Sequence, residues 1–172
     1  GNARGRIWRI APKGFKPPKR KLPGTVKTAQ LVGLLDHANG WTRNCAARLI
    51  YERQDKSIVP ALTKLAAESQ SSLGRIHALW ALHGLGALKK EHVLQALEGG
   101  KSEVRTQAMI LAEHFADQAE VTKEVYAQVS HSDKHVLYQL ALTASRLPES
   151  DSKKFALAMV LAKADGDSWI ER

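Results

Sequence analysis

Apolar positions recur along this chain with two periods, one nested inside the other. From about residue 26 the short period is that of a helix. Leu31, Leu34 and Leu35 share one face, Ile58, Leu62, Leu65 and Ala66 form a stripe, and Phe155, Ala158, Met159 and Ala162 form another. The long period is about thirty residues. Trp41-Thr42-Arg43-x-x-Ala46-x-x-Leu49 returns as Gly74-Arg75-x-x-Ala78-x-x-Ala81-Leu82, then as Val104-Arg105-x-x-Ala108-x-x-Leu111-Ala112 and as Val136-Leu137-x-x-Leu140-x-x-x-Ala144. Trp169-Ile170 opens a further copy, and the steps between copies are 32, 30, 32 and 33 residues. A step of this size implies one supersecondary unit stacked on itself, because no single unit buries its apolar face alone.

Breaks in the pattern divide each unit into two helices. His37 to Gly40 interrupt the first, with Asn39-Gly40 as a turn signal, and residues 41–54 follow as its partner. Asp55 or Ser57 can cap the next helix, in which Pro60 is tolerable in the first turn. Residues 73–88 are apolar on most sides, as expected of a helix flanked by neighbours, and Gly84 and Gly86 suit its end. Later pairs are expected at about 90–98 with 102–116 and 119–130 with 133–147, then a helix at 151–165. The fold class is therefore all-α, an α/α solenoid over residues 26–172 with about four helix pairs and a truncated fifth. Ala46, Ala78, Ala108, Ala112 and Ala144 recur where helices must approach closely.

The residues before the first helix differ in kind. Residues 5–10 are β-prone and bounded by Gly5 and Pro12, so segment 1–11 reads as a short strand whose sheet partners lie elsewhere. Segment 12–25, with Pro12, Pro17, Pro18 and Pro23, reads as a stiff basic linker. Charge sharpens the division. The formal net charge is +9, and the nine lysines and arginines among residues 1–27 face no acid, leaving 17 basic residues against 17 acids in the remainder. The helical body is neutral. Lys19, Arg20 and Lys21 are the candidate contact with a polyanion or with anionic lipid headgroups; a solvated linker is the plainer reading.

The arginine at the second position of the repeat has a structural reading. Acids stand in or beside the preceding turns (Asp36, Glu103, Asp133 and Asp165), so Asp36, Arg43, Arg75, Arg105 and Asp133 are expected to form a stacked acid–arginine ladder. Leu137 should interrupt it.

The helix pairs with arginine opening the second helix resemble HEAT (armadillo-like) repeats. Three stretches narrow the likeness: Gly5-Arg-Ile-Trp-Arg-Ile-Ala-Pro-Lys-Gly14, Asn39-Gly-Trp-Thr-Arg43 leading to Ala47-Arg-Leu-Ile-Tyr-Glu-Arg53, and Arg75-Ile-His-Ala-Leu-Trp-Ala-Leu-His-Gly-Leu-Gly86. Together they resemble the HEAT-repeat region of large exported bacterial proteins. In that family it joins a glucose/sorbosone dehydrogenase-like β-propeller, which holds pyrroloquinoline quinone, to a c-type cytochrome domain. The resemblance implies a fragment of a longer periplasmic or cell-surface protein, with residues 1–11 as the propeller's last strand. It also implies a scaffold between redox modules or a docking surface, whose partners are neighbouring domains of the same chain or another protein. The family's cofactors do not carry over, since the haem signature Cys-x-x-Cys-His is absent.

Candidate chemistry is sparse. His131 and His135 bracket Asp133 at a spacing two metal ligands could use, but Asp133 suits a helix cap and no third ligand stands near. His77 and His83 flank Trp80 and read as buried, hydrogen-bonded histidines; Cys45, on an apolar stripe, reads as a small buried thiol. No catalytic residue, cofactor site or metal site is assigned. The rival reading is a nucleic-acid-binding solenoid, with Arg43, Arg48, Arg53, Arg75, Arg105 and Arg146 lining one surface and base-excision chemistry as its enzymatic extension. Glu52, Glu103 and Glu113 share those helices, and a neutral body gives little counterion-release drive. A HEAT-like chromophore lyase is a third reading, with no specific residues behind it.

Overall fold

The computed structural model describes residues 10–16 and 23–164. Among them every regular element is helical, so the all-α expectation holds. The strand expected within 1–11, the polyanion contact at Lys19, Arg20 and Lys21, and the repeat opening at Trp169-Ile170 lie outside the described residues, apart from Ile10 and Ala11.

The helices are α1 (Thr28–Leu34), α2 (Gly40–Arg53), α3 (Val59–Glu68), α4 (Ser72–Gly84), α5 (Lys90–Gly99), α6 (Ser102–Ala112), α7 (Ala119–Ala127), α8 (Lys134–Ala144) and α9 (Asp151–Ala164). Local chemistry sets their starts. Asn39 accepts a hydrogen bond from the Thr42 amide at 3.2 Å, Ser71 from the Gly74 amide at 3.2 Å and Asp133 from the His135 amide at 2.9 Å. Asp55 caps a single 3₁₀ turn that leads into α3, with Pro60 in the first turn of that helix.

Three helices end earlier than their apolar runs suggest. Gly86 takes φ +62°, and the Ala87 amide reaches back to the Leu82 carbonyl at 2.8 Å, closing α4 near Gly84 instead of Leu88. α6 and α7 each tighten into a 3₁₀ turn, at Glu113–Phe115 and Gln128–Ser130, so the apolar pattern outlasts the α-helix.

Packing follows two rows. Within the first three pairs α1 packs on α2, α3 on α4 and α5 on α6, and α7 meets α8 more lightly. Across the pairs, α1, α3, α5, α7 and α9 touch in succession, and so do α2, α4, α6 and α8. One core runs between the rows, from Leu31, Leu35 and Ile50 through Leu62, Leu82 and Leu97 to Leu111, Leu140 and Val160. The recurring small residues lie in it: Ala46, Ala78, Ala108, Ala112 and Ala144 all have 0% exposure. A larger side chain there must push two helices apart. Ala108→Leu is expected to cost about 1–3 kcal/mol, read as a lower urea midpoint at unchanged slope; an unchanged midpoint would show that α6 is loosely packed at this point.

Candidate functional site

Among the described residues, which do not include Asp165, the repeated arginines do not meet the turn acids. They close helix ends. Arg43 donates through one terminal nitrogen to the carbonyls of His37 (2.7 Å) and Ala38 (3.0 Å), in the turn that follows α1. Arg75 donates from Nε to the Ala66 carbonyl of α3 at 2.8 Å and from a terminal nitrogen to Gly99, the end of α5 in the next pair, at 3.4 Å. Arg105 is the most heavily engaged. It donates to the carbonyls of Gly100 (2.6 Å), Glu98 (2.5 Å) and Leu97 at the end of α5, and to Oε1 of Gln128 after α7 at 2.8 Å.

The physical reason is that the last carbonyls of a helix have no partner within it and carry the negative end of its dipole. A guanidinium offers several donors in a fixed fork, so one side chain serves two or three of them and a neighbour as well. The acids then take other partners. Asp36 accepts from the Ser69 hydroxyl at 3.0 Å and lies against Gly74, where an added Cβ would stand 2.6 Å from its Oδ1. Asp133 caps α8, and its carboxyl is held below the usual range, first by the Ser102 hydroxyl and then by the His135 amide. Polar links between turns are therefore present, but their chemistry is hydroxyl–carboxylate and guanidinium–carbonyl.

The fourth copy departs as its sequence does. Leu137 is buried at 1% exposure, and no guanidinium stands there. Lys163 of α9 reaches back instead, donating to the carbonyls of Val129 (2.6 Å) and His131 (3.2 Å) after α7. Arg53 plays a further joining part that the repeat did not reveal. It binds the carbonyls of Val26 (2.8 Å) and Gly24 (3.3 Å) and ties the segment before α1 to the end of α2.

Of the six arginines that might have lined a polyanion surface, four are thus spent on carbonyls. Arg48 lies 3.3 Å from Glu52, and Arg146 lies 3.4 Å from Glu113.

The outer face of the α2–α4–α6–α8 row has a different character. Trp41, Tyr51, Leu73, Trp80, Tyr138 and Leu142 all lie on these helices at 37–63% exposure, whereas in the other row such exposure occurs, among the described residues, only on α9, at Phe155 and Leu161. Trp80 donates from Nε1 to Gln107 of α6 at 2.9 Å and stands edge-on to His83, which stacks on His114 of the 3₁₀ turn after α6 with ring centroids 4.4 Å apart. Tyr51 lies over Gly84, whose carbonyl also accepts from Gln54 at 3.2 Å. Apart from the Trp80–His83 contact within α4, each of these crosses from one pair to the next. His77 and His83 are half-buried rather than enclosed, and His83 makes ring contacts in place of the expected hydrogen bond. Cys45 is likewise half-buried and unpaired.

Between α4, α6 and the start of α8 this face opens into a groove of about 740 Å³. Leu73 and Ile76 form one wall, Glu103, Thr106 and Gln107 another, and Asp133 and His135 close the end. His135 is almost fully exposed beside Asp133, His131 lies before the helix, and no group of three or more metal-ligating side chains forms among the described residues. No helix among them is long and apolar enough to cross a membrane.

Burial lowers the affinity of three half-buried histidines for protons. For His77 the second cause is Arg43, for His83 it is His114, and for His92 it is Lys89. The sign follows from linkage. These imidazoles bind protons more weakly folded than unfolded, so their contribution to stability is complete above about pH 7 and is lost as pH falls below the unfolded value near 6.5. Glu124 opposes this at lower pH, because burial and Glu98 raise its carboxyl. The urea midpoint is expected to fall between pH 7.5 and 5.5. A midpoint that rises over that interval would contradict this assignment.

Comparison with known proteins gives no matching family model, no matching curated protein and no matching solved structure.

Proposed function

We propose that this chain is a HEAT-type α/α solenoid serving as a non-catalytic scaffold, and that the outer face of the α2–α4–α6–α8 row docks a protein partner. One observation carries the reading. Exposed aromatic and aliphatic side chains recur on α2, α4 and α8 of that row, whereas in the other row they occur, among the described residues, only at its last helix, α9. Exposed apolar side chains grouped on one face mark interaction sites, whereas scattered single residues do not. Tryptophan and tyrosine are also the residues that dominate interface energetics. The two rows of helices and the thirty-residue step support the solenoid.

The nucleic-acid reading is the weaker one. Arg43, Arg53, Arg75 and Arg105 are engaged with carbonyls, Arg48 and Arg146 with acids, so few of the row's guanidinium donors are free for phosphate. A domain neighbouring this segment in a longer redox protein is the first partner to try.

Photo-crosslinking distinguishes the two faces. A benzophenone side chain placed at Trp41 or Tyr138 should capture a protein partner, and one placed at Lys64 of α3 should not. Equal capture from both faces, or salt-sensitive capture of duplex DNA from the first, would overturn the proposal.

A further inference from the structure

We infer that the groove between α4, α6 and the start of α8 binds a partner's peptide segment in which arginine or lysine alternates with apolar side chains. This rests on the docking reading above and adds the partner's chemistry to it. The volume, about 740 Å³, suits several side chains rather than one. Its α4 wall is apolar, with Leu73 48% exposed and Ile76 half-buried beside it. The facing side is acidic. Glu103 is exposed and has no hydrogen bond or ion pair among the described residues. Asp133 stays ionised through the hydrogen bonds that hold its carboxyl low. No lysine or arginine lines the groove, and His135 is its one basic group.

An apolar wall opposite the unpaired Glu103 carboxylate favours a strip that is greasy on one side and cationic on the other. Arginine suits it best, since its apolar stem can lie along Leu73 while the guanidinium meets Glu103. An acidic segment would bring like charges together, and an all-apolar one would leave Glu103 desolvated without a partner. The groove thus discriminates by charge, and the rest of the face supplies apolar area.

The test uses the full chain and two short fluorescein-labelled peptides, one alternating leucine with arginine and the other leucine with glutamate. Fluorescence anisotropy should show binding of the first and not the second. Glu103→Gln should weaken the arginine peptide about tenfold, Glu103→Lys should abolish its binding, and Leu73→Ser should weaken it. Melting temperatures should hold within a few degrees, because Glu103 makes no hydrogen bond or ion pair among the described residues and its place in the first turn of α6 contributes little at an exposed position. Equal binding of both peptides, or unchanged affinity in both Glu103 variants, would overturn the inference. Failure here with crosslinking from Trp41 and Tyr138 intact removes the groove's specificity alone; loss of that crosslinking removes the docking face itself.

Discussion

Replacing Arg105 with alanine is expected to destabilise the chain by about 3 kcal/mol, the larger of the two strongest effects anticipated. The guanidinium serves the carbonyls of Leu97, Glu98 and Gly100 and the side-chain oxygen of Gln128, which is buried at 3% exposure. Hydrogen bonds to a charged group are worth about 1.5–3 kcal/mol each, and water can recover some of the carbonyls but not the buried Gln128 oxygen. For a chain of this length the loss corresponds to a melting point lower by about 6–12 °C. Arg105→Lys keeps the charge but offers a point rather than a fork, so it should recover less than half. Arg43→Ala, which frees only the carbonyls of His37 and Ala38 at an exposed turn, should cost less. Equal losses from the two alanine variants would show that Arg105 acts only through its charge.

Gly100→Ala should cost nearly as much, about 2–3 kcal/mol, for a different reason. Its backbone, at φ −80° and ψ 151°, is one that alanine adopts freely, so strain is not the issue. Space is. An added Cβ would run into the carbonyl oxygen of Ala96 and stand 3.0 Å from Cβ and Cγ1 of Val104. Backbone cannot swing aside as a flexible side chain can. Moving it would also disturb the Gly100 carbonyl that Arg105 holds. The gain alanine brings by stiffening the unfolded chain, about 0.4–1 kcal/mol, falls short of this. Thermal melts of Gly100→Ala beside Gly99→Ala provide the comparison, since a Cβ at Gly99 meets nothing within 4 Å. A Gly100 variant as stable as the Gly99 variant would sink the argument.

What the sequence made legible was whatever is local or periodic. Asp55 and Asp133 announce helix starts because a cap bonds to an amide two residues on. The alanine positions announce close approach because they recur in register with the repeat. The partners of Arg43, Arg75 and Arg105 were hidden for a plain reason. A backbone carbonyl has no letter of its own, so inspection of side chains points to the nearby acids instead. Lys163 was hidden further. It stands in for the missing guanidinium at Leu137 from a helix outside the repeated motif, 34 residues beyond the Val129 carbonyl it holds. The apolar face was half legible. Residues 73–88 read as covered on both flanks, yet α4 turns Leu73 and Trp80 outward, because α2 and α6 flank it and nothing among the described residues lies over them.

The central claim is that the clasps of Arg75 and Arg105 fasten one helix pair to the next, leaving the outer face of the even-numbered helices free for a partner. A double-mutant cycle on Arg105 and Gln128, read by urea unfolding, tests it most directly, because these two residues belong to successive pairs and meet at 2.8 Å. A coupling of about 1 kcal/mol or more is the predicted result. Additive losses, with no coupling beyond about 0.3 kcal/mol, would mean that the arginine caps its own pair alone and that the joints are held by apolar packing without it.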